Sequence, residues 1–191
     1  MQKRTDDIVA LLTIADTDLI INSVTIVDGD FPLDGNVDFP RNITIDVTTS
    51  TISAGTVTVT GIDFLTGLPA SEVLDLALAT TLVGTIMFSE ITSVVVAGLA
   101  DEDPGDTFIV GVGSVIQVTK GKTVFVSATP SDDLGNVGKY QFIDGLTGST
   151  TNIGELKQDV AAQTFEYEVA VSKGLRVVMS GDTPLTITYN Q

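Results

Sequence analysis

Apolar and polar residues alternate along much of this chain with a period of two. The pattern is clearest between positions 39 and 67. Ile43, Ile45 and Val47 fall on one side of a first run, with Asn42, Thr44, Asp46 and Thr48 on the other. In a second run Val57, Val59 and Ile62 are set against Thr56, Thr58 and Thr60. Successive Cβ atoms of a strand point to opposite faces, so this period is that of a half-buried strand. Ser53-Ala54-Gly55 separates the runs as a turn. The stretch therefore predicts a β-hairpin with one apolar face and one threonine face.

Further strand-like runs occupy positions 19–27, 71–76, 87–96, 107–113, 115–118, 123–129, 139–145, 165–171, 174–181 and 184–189. They are rich in β-branched and aromatic residues, which suit a pleated, half-buried surface. Residues 8–12, IVALL, fit either a short helix capped by Thr5 or Asp6 or an extended arm. Residues 28–36 read as a turn-rich loop and 101–106 as an acidic turn. Short strands with turn signals at roughly 8- to 12-residue spacing indicate sandwiches or barrels. The expected fold is all-β, with two sandwich- or barrel-like domains and an extended N-terminal segment. Its boundaries are 1–38 for an arm and first strand, 39–113 for the first β domain and 114–191 for a second β-sandwich domain.

Composition narrows the chemistry more than it narrows the fold. The 191 residues are 43% hydrophobic, enough for a packed core, yet no apolar run reaches the roughly 18 residues of a membrane helix. The N-terminus lacks a small-residue cleavage site after its short apolar run and reads as a mature start. The chain has no Cys and no His. Disulfides, thiolate metal sites, thiol nucleophiles and His-dependent triads are therefore excluded. The formal net charge is −16, and residues 1–113 hold 17 acidic and 3 basic side chains. Such a surface repels nucleic acid and anionic membranes and suits a basic protein partner. The plainer reading is solubility at high local concentration.

Candidate constellations fail on inspection. Ser127, Ser131 and the pair Ser172-Lys173 have no motif around them that would make a Ser–Lys catalyst. Asp101, Glu102, Asp103 and Asp106 crowd into one turn, and with no Trp and three Tyr a sugar cleft lacks platforms. The aspartates at 28–36 miss the EF-hand spacing, because Phe31-Pro32 interrupts them. Gly111-Val112-Gly113 has no helix after it to make a phosphate loop. Threonine faces suit ice-binding or lectin-like arrays, but more often Thr simply fits the exposed side of a strand. The reading is a non-enzyme with no cofactor and no metal.

One ordered series of short motifs is informative. Pro40-Arg41-Asn42-Ile43-Thr44 is followed by GTVTVTGID at 55–63, by Ser71-Glu72-Val73-Leu74 and by Phe88-Ser89-Glu90-Ile91-Thr92-Ser93-Val94. This order resembles a recurrent small structural protein of tailed bacteriophages. Tyr140-Gln141-Phe142-Ile143-Asp144-Gly145, then GLRVVMSG at 174–181 and Thr186-Ile187-Thr188-Tyr189, is similar to small β-sandwich virion proteins. Phe64-Leu65-Thr66-Gly67-Leu68 departs from the polar loop usual after the second motif.

The resemblance implies a capsid decoration protein on the virion exterior, without an active site. It implies the major capsid protein and copies of the chain itself as partners, with trimers at local threefold sites, and neither nucleic acid nor membrane. A tail or neck component and a host-surface glycan-binding module are the alternatives. The N-terminal segment is the least domain-like stretch. Its Lys3, Arg4, Ile8, Leu11 and Leu12 are the expected capsid or neighbour contacts.

Overall fold

The computed structural model describes residues 8–13, 15–48, 52–77, 80–131, 139–146, 151–157, 161–180 and 183–190. The described chain is all-β, with fifteen strands. These are β1 (Ile8–Leu12), β2 (Asp16–Thr25), β3 (Gly29–Phe31), β4 (Arg41–Val47), β5 (Ala54–Asp63), β6 (Pro69–Asp75), β7 (Thr81–Val83) and β8 (Phe88–Ala100). They continue as β9 (Thr107–Gln117), β10 (Thr123–Pro130), β11 (Lys139–Asp144), β12 (Asn152–Leu156), β13 (Phe165–Val171), β14 (Leu175–Ser180) and β15 (Leu185–Asn190). The chain divides into two compact units, Ala15–Gly113 and Met1–Ile14 with Ser114–Gln191.

In the Ala15–Gly113 unit, β6, β5, β8 and β3 are hydrogen-bonded neighbours in that order. A second set runs β7, β4, β9, β2. A single pairing of Arg41 with Phe88 links β4 to β8. Alternation gives each strand one apolar face, and these faces share one core. Ile43, Ile45 and Val47 of β4 lie with Val57 and Val59 of β5, Phe88, Ile91, Val94 and Val96 of β8, and Phe108, Val110 and Val112 of β9. The result is sandwich-like.

The unit of Met1–Ile14 with Ser114–Gln191 has β1, β15, β10 and β13 in one sheet. Its other strands are β12, β11, β14 and residues 115–117 of β9. Aromatic rings knit its core. Phe125 on β10 lies 4.6 Å from Phe142 on β11 and 4.6 Å from Tyr167 on β13, centroid to centroid. Tyr140 is buried with its hydroxyl donating to the Thr183 carbonyl, and burial pushes its phenol up to about 12.

Several expectations need correcting. The runs at 43–47 and 57–62 are strands, but they do not form a hairpin with each other. β5 pairs with β6 and β8, while β4 pairs with β7 and with Phe88 of β8. The hairpin lies one strand later, between β5 and β6, closed by the Asp63 N–H to Leu68 carbonyl bond at 3.0 Å. Gly67 takes φ +70° in that turn, a conformation that glycine reaches without a Cβ penalty. Ile62 does not share the inward face of Val57 and Val59, because period two carries on from those valines to Gly61, which is buried, and leaves Ile62 on the other side.

The loop at 28–36 contains β3, and 107–113 and 115–118 belong largely to one strand, β9. Residues 8–12 are a strand that pairs with β15, not a helix or a free arm. Residues 15–38 belong to the same unit as 39–113. The N-terminal boundary at 38 fails because β2 pairs with β9 and β3 with β8, which sew that stretch into the unit.

Gly61 tests the packing of β5 against β8. A Cβ there would lie 2.1 Å from the Glu90 carbonyl oxygen and 2.8 Å from the Phe88 ring. The Gly61→Ala variant should lose about 1–3 kcal/mol, the range of overpacked sites, visible as a lower midpoint in thermal or urea unfolding. An unchanged midpoint would mean that β5 is not tightly held against the irregular stretch of β8.

Candidate functional site

Of the expected contact residues, Leu12 is the one whose side chain the structure describes. Lys3 and Arg4 lie outside the described residues. Ile8 and Leu11 lie on β1, opposite Tyr189 and Thr186. Leu12 pairs with Leu185 and is fully buried, so it packs inside its own unit and offers nothing to a neighbour. Its apolar character reflects a core position rather than a contact.

The Pro40-Arg41-Asn42 motif forms a buried polar seat. Arg41 is fully buried, with Nε 3.0 Å from Asp38 Oδ1 and Nη2 donating to Asp38 Oδ2 at 3.1 Å. Its Nη1 donates to the Gly113 carbonyl on β9 at 3.3 Å. The planar fork suits two-point binding of a carboxylate. Burial lowers the guanidinium pKa, and the Asp38 charge opposes that shift. Asn42 donates Nδ2 to the Gly84 carbonyl at 3.4 Å. It lies so close to β9 that a Cβ on Gly113 would meet Asn42 Oδ1 at 2.5 Å. Gly113 is thus the residue that lets β9 approach the motif.

Two further carboxylates hold loops. Glu72 shares the inward parity of Ala70 and Leu74 on β6. Its Oε1 accepts from the Thr85 amide at 2.7 Å and the Thr85 hydroxyl at 2.8 Å, and Oε2 from the Ile86 amide at 3.4 Å. In the other unit Asp144 accepts from the Ser172 amide at 3.0 Å, the Ser172 hydroxyl at 2.8 Å and the Lys173 amide at 2.9 Å. Ser172 is therefore a loop ligand of Asp144. Partial burial pushes the Asp144 carboxyl up, but the bonds from Lys173 and Ser172 and the Lys173 charge outweigh it and hold the group below its ordinary value. Sequence reading passed over both carboxylates. The available signal was a charge at an inward position between Ala70 and Leu74, and an Asp-Gly pair ending a strand.

The exterior of the Ala15–Gly113 unit is electrostatically one-signed. Residues 15–113 hold 15 acidic side chains and one basic one, and that one is the buried Arg41. At the start of β2, Asp18 is held above the usual carboxylate value, first by a hydrogen bond with Asp16 and then by its charge. Among the described residues, no group of three or more Asp, Glu, His or Cys is placed to hold a metal ion. An open groove of about 510 Å³ lies in the other unit, lined by Lys122, Thr123, Val124, Ala170, Val171, Ser172 and Asn190. Its lining includes no carboxylate to pair with the lysine as acid and base. No protein-family model matches the chain, and a search of curated proteins finds no match.

Both loop clamps can be tested separately. Glu72→Ala should cost about 1.5–3 kcal/mol, the range for hydrogen bonds to a charged group. It should also speed amide exchange at Thr85 and Ile86, while exchange on β9 follows only the global loss. Asp144 predicts an acid effect. A carboxyl held below its ordinary pKa binds its proton more weakly folded than unfolded. Its stabilisation is therefore fully present above the unfolded value and is lost as pH falls through the lowered folded value. Asp144→Asn should flatten the acid limb of a Tm-against-pH curve, and a limb as steep as that of the wild type would refute the assignment.

Proposed function

We propose that this chain is a non-enzymatic structural protein of a tailed bacteriophage that decorates the capsid exterior and stabilises the lattice. The observation that carries the reading is the ordered motif series from Pro40 to Val94. Its residues are spent on building the fold. Arg41 and Asn42 are buried, Val57 and Val59 fill the core, Glu72 holds the loop at 84–86, and Phe88, Ile91 and Val94 return to the core. A motif series of this kind fits a scaffold better than a catalyst. The acidic exterior of the Ala15–Gly113 unit disfavours nucleic acid and anionic membranes.

The partner in this reading is the major capsid protein, with trimers of the chain at local threefold sites. A protein that binds the mature lattice and not its precursor shifts the equilibrium towards the mature form by mass action. The first residues supply cations, Lys3 and Arg4, ahead of β1.

Mixing the purified protein with expanded and unexpanded capsids tests the reading by co-sedimentation and negative-stain imaging. Saturable binding to expanded capsids alone is the expected result. Absence of binding to either, or rings formed by the protein in isolation, would overturn it. A chain shortened by residues 1–7 keeps β1 and should bind roughly tenfold more weakly, a change of about 1.4 kcal/mol.

A further inference from the structure

Strand edges carry unpaired amides and carbonyls, and proteins that stay apart protect them. In the Ala15–Gly113 unit the described edges differ sharply. β3 and β7 are three residues each. β2 is longer but shifts register twice against β9. β6 is seven residues long and pairs with β5 at every position from Pro69 to Asp75 without a shift. It has no strand on its other side among the described residues. It carries no Lys, and its only Pro is at its first position. Its outward residues are Ser71, Val73 and Asp75, and Val73 is 62% exposed. Its inward charge, Glu72, is taken up by the loop at 84–86.

We infer that β6 is a homotypic docking edge, on which β6 of a second copy adds as an antiparallel strand. The register centred on Val73 is self-complementary. It sets Val73 against Val73 of the second copy and Ser71 against Asp75 at both ends, so that no carboxylate faces a carboxylate. Centring on Glu72 would instead oppose two glutamates. In the chosen register the outer row Asp30–Val95–Thr58–Val73 continues into its symmetry mate. Two four-stranded layers then form one eight-stranded sheet by an isologous twofold contact. Valine on valine and hydroxyl on carboxylate are favourable cross-strand pairs. Seven-residue edges make an interface smaller than the standard size, which places the dimer in the weak, transient class. The net negative charge of each copy opposes the contact, so added salt strengthens it. The inference is independent of the capsid reading.

Sedimentation of the full chain from micromolar to millimolar concentration, at low and raised salt, tests this edge. The expected result is a monomer–dimer equilibrium whose dimer fraction grows with salt. Val73→Lys should weaken it at least tenfold with an unchanged Tm, whereas Val73→Thr should keep it. Concentration-dependent amide shifts in the wild type should centre on β6 and Thr58. A chain that stays monomeric throughout, shifts centred elsewhere, or association that Val73→Lys leaves intact would overturn the proposal.

Discussion

A fully buried guanidinium sits where β4 meets its neighbours, and the Ala15–Gly113 unit depends on that seat. Arg41 is the one residue of β4 in register with β8, while its side chain reaches back to Asp38 and across to the Gly113 carbonyl on β9. A buried charge is expensive unless its donors are matched, and losing one partner of such a pair typically costs about 3–5 kcal/mol. The requirement fixes several things together. Asp38 must stand at the end of the loop before β4, the Gly113 carbonyl must face the guanidinium, and Phe88 must begin β8 at that level. The guanidinium thus sets the level at which β4, β8 and β9 meet.

Faces were legible in the sequence and partners were not. Alternation assigned Ile43, Ile45, Val47, Val57 and Val59 to a core, where they lie. It also led to the idea of a hairpin between β4 and β5, because period two specifies which side of a strand is buried and says nothing about the strand beside it. Ile62 was grouped with Val57 and Val59 although strict alternation leads from them to Gly61, an inward position that carries no side chain to announce it. The placement of residues 15–38 was not readable either, because pairing over long sequence separations leaves no local mark.

The loop clamps show a second limit. Glu72 and Asp144 each hold backbone amides thirteen or more residues away. Nothing beside them in the chain names those amides. Ser172 drew attention as a hydroxyl beside a lysine, yet its hydroxyl is spent on Asp144. Of the residues expected to touch a partner, Leu12 is core, and a leucine in an N-terminal apolar run reads the same either way.

The pairing of β1 with β15 brings the two extremes of this sequence onto neighbouring strands, Ile8 beside Tyr189. The intervening unit of Ala15–Gly113 is thus an insertion within the fold that β1 and β15 complete. During synthesis β1 emerges before the inserted unit and waits unpaired while that unit closes on local and middle-range contacts. It finds its sheet only when β15 exists, so that sheet has the highest loop-closure cost in the chain and forms late.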